Sequence, residues 1–145
     1  MSNRHQARQS IIEILYAWDS SQQDPITLKA QLQDRLALEE RKDQDKDFIH
    51  KALEAIVPMV VKIDEALSKV VRGRSIRSIG KVELSVLRLA SWELMQRSDI
   101  PYRVVINEAL ELTNMYADIP ARNFINGVLD QLASSMRSGE YKAKK

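Results

Sequence analysis

No cysteine occurs in the 145 residues, and histidine appears only twice, at His5 and His50. The first absence excludes a disulfide scaffold and any Cys-ligated zinc site, since both need sulfur. The second leaves little imidazole for acid–base work or metal ligation. Glycine and proline number four each, and no Gly-rich phosphate loop, G-x-S-x-G elbow or H-E-x-x-H pair can be found. No charge-free run approaches the ~20 apolar residues of a membrane span. The opening MSNRHQARQS has no apolar signal core, so a cytoplasmic location is expected. Few routes to catalysis survive these absences, and neither an enzymatic activity nor a cofactor is expected.

What is present is helical periodicity. Hydrophobic residues make up 44% of the chain, an ordinary share for one globular domain of this length. Apolar positions recur at three and four residues almost throughout, whereas strand alternation is absent. A first helix is predicted from about residue 3 to 20, with Ala7, Ile11, Leu15 and Trp18 on one stripe. Asp24-Pro25 reads as a cap and first helical position for a second, lined by Leu28, Leu32 and Leu36. A long run carries Phe48, Ala52, Ile56, Ile63, Leu67 and Val70, with Pro58 expected to kink or split it. Residues 73–80 connect to a helix over about 79–97. Ser98-Asp99-Ile100-Pro101 and Asp118-Ile119-Pro120 punctuate two more. The expected fold class is all-α, with six or seven helices. Residues 1–137 form the domain, and 138–145 read as a basic, disordered tail.

Net charge is only +2, but the charges are unevenly placed. Residues 69–81 hold Lys69, Arg72, Arg74, Arg77 and Lys81 with no acid, on an otherwise near-neutral body. A localised anionic partner fits that pattern better than bulk polyanion binding, although a solvated loop would look the same. Arg4 and Arg8 lie one helical turn apart at the start of the first helix, where cations oppose the helix dipole by ~0.3–1 kcal/mol each. An anionic ligand would reverse that cost. Tyr16 is rotated off the apolar stripe, where residue type alone favours a boundary residue with its hydroxyl in water, although its ring could also be offered to an unstacked base. Asp43-x-Asp45-x-Asp47 mimics a calcium loop, but Phe48 stands where that loop needs glycine, so a helix N-cap is the better reading. Glu108 and Glu111 share a helix face, as paired carboxylates of a metal site would. The helical Glu-x-x-His motif is missing, and no metal is expected.

Four blocks then carry a more specific signal: ARQSIIEILYAWD (7–19), IGKVELSVLRLASWEL (79–94), SDIPYRVVINEALEL (98–112) and FINGVLD (124–130). Their order and spacing resemble the NusB family of bacterial transcription antitermination factors. The resemblance implies two packed helical subdomains without a catalytic site. It also implies binding of boxA-type single-stranded RNA together with the ribosomal protein NusE, within the antitermination complex on RNA polymerase. Carried over to this sequence, the RNA-binding residues are Arg4, His5, Arg8, Tyr16, Lys81 and Glu83. A carboxylate is compatible with RNA because it accepts from base amino groups. His5 and Gln6 stand where the family often has further arginines. Asn126-Gly127 matches the family's N-G pair, and a mid-helix Gly, costing ~1 kcal/mol against Ala, suggests close helix approach there. Ile119-Pro120-Ala121-Arg122 departs from the acidic and Ser residues usual before that block, which puts a partner contact there in doubt. Two alternatives stay open. One is a helical adaptor or homodimer that never meets RNA, and the other is the NusB-like module of an RNA cytosine methyltransferase.

Overall fold

The computed structural model describes residues 3–21, 43–71, 73 and 75–143. The expected helix after Pro25, with Leu28, Leu32 and Leu36, lies outside the described residues, as do Arg72 and Arg74 of the basic segment. The described chain is all-α. It runs α1 (Arg4–Ser21), α2 (Asp43–Val70), a 3-10 turn (Ile76–Ser78), α3 (Lys81–Gln96), α4 (Tyr102–Tyr116), α5 (Ile119–Met136) and α6 (Ser138–Ala143).

The helix α3 is the axis of the fold. Leu84 to Leu94 is buried without a break, polar residues included, as befits a helix enclosed on all sides. Two helical groups share it: α1 and α2 pack on each other and on α3, and so do α4 and α5. Their apolar stripes merge into one continuous core that includes Ile11, Leu15, Phe48, Ile56, Leu67, Leu87, Leu112 and Leu129.

Local sequence explains the helix ends. Asn3 caps α1, its side-chain oxygen accepting from the Gln6 N–H at 3.0 Å, and Asp118 caps α5 through the Ala121 N–H at 3.0 Å, as short polar caps do. Asp45 behaves differently from the expected N-cap. It is buried inside α2's first turn and accepts from the Asn3 N–H at 2.8 Å, tying α1 to α2. Asp43, Asp45 and Asp47 are all helical, which removes the loop that calcium would need. Nor does Pro58 split α2. Pro58 lies on an exposed face, as does Glu54 one turn before it, where water can reach the backbone.

The C-terminal tail also departs from expectation. Residues 138–143 form α6, and Glu140 accepts from the Tyr102 N–H at 3.0 Å. Arg137, which precedes α6, is buried. Its guanidinium donates to the carbonyls of Glu93, Leu94, Arg97 and Ile100 and to the Glu140 carboxylate. All five donors are thereby used, three of them on the carbonyl-rich end of α3, where a cation is favoured.

Gly127 overturns the expectation of close helix approach: it is exposed, and a Cβ there would meet nothing within 4 Å. Only its helix propensity then matters. Gly127→Ala should stabilise the protein by about 1 kcal/mol in thermal or urea melts, and Gly127→Leu should be neutral or stabilising. A lowered melting temperature for either would restore a close neighbour at this position.

Candidate nucleic-acid interface

The helices α1 and α3 are antiparallel, since Arg8 near the start of α1 meets Glu93 near the end of α3, and Asp19 meets Arg88. This pairing sorts the candidate residues into two groups. Arg4, His5 and Arg8 lie at one end. Tyr16, Lys81 and Glu83 lie toward the other, Tyr16 being roughly 18 Å along α1 from Arg4 at 1.5 Å per residue.

Arg4 and Arg8, alike in sequence, have different environments. Arg8 is only 4% exposed and therefore does not project toward a ligand as expected. Its Nε donates to both Glu93 oxygens at 3.1 Å, and its Nη2 donates to Oε1 at 2.6 Å. Burial raises the Glu93 carboxyl above its ordinary value, while Arg8, and more weakly Arg4 and Arg97, pull it down. Arg4 is half-buried, with its guanidinium 4.1 Å from the Phe48 ring centroid. No carboxylate among the described residues forms an ion pair with it, and its buried Nε has no hydrogen-bond partner. Desolvation lowers its pKa first, followed by the charges of Arg8 and Arg97.

Arg97 is a member of this cluster that the sequence reading missed. Its guanidinium stacks over Phe48 at 5.4 Å and over Trp92 at 5.8 Å, and it chelates the Asp99 carboxylate at 3.0 and 2.9 Å. That grip holds the Asp99 carboxyl down to about 2. The only local signal was an Arg followed by an Asp two residues later at a helix end.

His5 faces α4 rather than open solvent, with Nδ1 2.9 Å from Glu108 Oε2. Eleven residues on, Tyr16 lies within about 20° of His5 around the helix and is 43% exposed, which leaves its ring accessible. At the far end Lys81, the first residue of α3, is exposed. Glu83 is half-buried, and its carboxylate folds back against Gly80 so closely that a methyl there would collide with it. A carboxylate suits the positive end of α3.

The burial of Arg8 gives it a structural effect. Arg8→Ala should cost about 3–5 kcal/mol at neutral pH, because Glu93 would stay buried without its partner. A carboxyl with a raised folded-state pKa binds more protons folded than unfolded, so its contribution weakens as pH rises above the ordinary value of 4.5. Without Arg8 that weakening should grow. The deficit relative to wild type should shrink as pH is lowered toward 4.5, read by urea melts across pH. A deficit independent of pH would mean that Glu93 is not the group left unpaired.

Comparison with known proteins places this geometry in a wider context. The NusB family model matches residues 5–134. Transcription antitermination protein NusB of Pseudomonas fluorescens (strain Pf0-1) is 37% identical over 144 residues, 99% of this chain and 84% of that protein. NusB of Pectobacterium carotovorum (strain PC1) is 35% identical over 94% of this chain and 96% of its own length. Among solved structures, Thermotoga maritima NusB superposes with a TM-score of 0.85 at 26% identity, covering 98% of this chain and 99% of that one. A crystal structure of the antitermination factors NusB and NusE in complex with double-stranded RNA matches at a TM-score of 0.74 and 30% identity. It covers 97% of this chain and 96% of that one. Matches of this extent, in sequence and in fold, establish that the chain belongs to the NusB family.

Proposed function

We propose that this protein is an RNA-binding transcription antitermination factor that acts by binding and not by catalysis. It takes boxA-type RNA together with a NusE-type ribosomal protein, in the cytoplasm, as part of the antitermination complex on RNA polymerase. The observation that carries the RNA reading is Arg4. Its charge is disfavoured by burial and by two neighbouring arginines, Asp45 and Glu93 offset this only in part, and no described carboxylate forms an ion pair with it. A phosphate would supply the missing counter-charge at a helix N-terminus already suited to anions. Tyr16 offers a stacking surface on the side of α1 shared with His5, and Lys81 adds a cation at the opposite end of the helix pair. For the protein partner, Met115, Tyr116 and Ile119 expose apolar surface around the α4–α5 turn, Ile119 at 73%.

The relative solved with NusE holds double-stranded RNA, so both RNA forms belong in the test. Anisotropy titrations with boxA-like RNA over a salt series, with NusE present, should show Arg4→Ala losing about 0.7 in the log–log slope for single strands. Its preference for boxA-like over scrambled sequence should persist, because phosphate contacts position without reading bases. Tyr16→Ala should cost about 1–3 kcal/mol on single strands and leave duplex affinity unchanged, since a paired base cannot leave its stack for the ring. An unaltered slope in Arg4→Ala, with unaltered single-strand affinity in Tyr16→Ala, would move the RNA off α1.

A further inference from the structure

The sequence argued against a metal because no histidine follows a glutamate by three residues on one helix. Folding brings the histidine from another helix. His5 on α1 comes to Glu108 and Glu111 on α4, with one ligand atom from each lying within 4.8 Å of the others. His5 Nδ1 is 2.9 Å from Glu108 Oε2 and 4.0 Å from Glu111 Oε2. Zinc bound tetrahedrally at ~2.0–2.2 Å from N and O ligands needs them roughly 3.3 Å apart. The observed separations bracket that spacing, and side-chain rotation alone can close the difference.

From this we infer that His5, Glu108 and Glu111 form a binding site for a divalent transition-metal ion, zinc being the closest match to a mixed nitrogen–oxygen set. Charge supports the assignment. Among the described residues, Arg8 Nη1 stands 3.8 Å from Glu108 Oε2, and its charge is already matched by Glu93 at 2.6 Å. Two carboxylates are thus left to balance two positive charges. All three ligands are at least partly accessible, so the ion has an entry path, and water can complete its coordination.

The inference is independent of RNA, and its test uses the free protein. Zinc sulfate titrated calorimetrically into chelator-treated full-length chain should bind with one site per chain. The His5 ring resonances should shift in step with that binding. His5→Ala and Glu108→Gln should each weaken it about tenfold or more, on the scale that even outer-shell losses reach. His5→Arg should also lose zinc while its melting temperature stays at the wild-type value, which separates ligand loss from unfolding. His50→Ala should bind as wild type does. No saturable binding, or zinc binding that leaves the His5 resonances unmoved, would overturn the site.

Discussion

A helix with no exposed face can carry charge only where another element arrives to meet it, and α3 carries two buried charges and a carbonyl-rich end. Glu93 is met by Arg8, Arg88 is met by Asp64 at 2.8 Å and by Asp19 at 3.5 Å, and the C-terminal carbonyls are met by Arg137. Each partner comes from a different region of the chain: α1, α2, and the residue that follows α5. The polar requirements of one central helix therefore hold both helical groups in register. Breaking any of these contacts leaves a desolvated group without compensation, which is costlier than the contact itself is stabilising.

The same constraint shapes the surface. Because Arg8 is drawn inward to Glu93, the start of α1 is pinned against α3, and Asp45 reinforces this by holding the Asn3 N–H. Arg4 and His5 are then presented from a rigid helix rather than from a loose arm, and Arg97 adds its charge beside Arg4 over the shared Phe48 ring. Pre-organised cations lose little entropy on meeting an anion, so a small number of them can matter. That Arg4 has no carboxylate of its own among the described residues is in this sense a by-product of how Glu93 was neutralised.

Much of the fold was legible because helical information is local. Period, caps and Pro punctuation placed α1, α3, α4 and α5 to within a few residues, and the four sequence blocks carried the family. The exposed ring of Tyr16 followed from its angle relative to the apolar stripe. Local rules were weaker at Pro58, where the cost of proline depends on whether the freed carbonyl reaches water, and at residues 138–143, where Glu140 and Arg137 find partners distant in sequence.

By itself the sequence determined that this chain is all-helical, which stripes turn inward, and which family it joins, since each depends on spacings within a turn or a block. Tertiary structure alone decided the surroundings of each candidate residue. Arg4 and Arg8 share type, helix and face, yet one is buried on Glu93, 85 residues away, and the other has no described carboxylate partner. His5 acquires its nearer carboxylate, Glu108, from 103 residues away, Gly127 faces open space, and Arg137 turns inward. Helical periodicity tells which residues share a face, but what that face meets depends on how distant helices pack, and burial and charge pairing are set there.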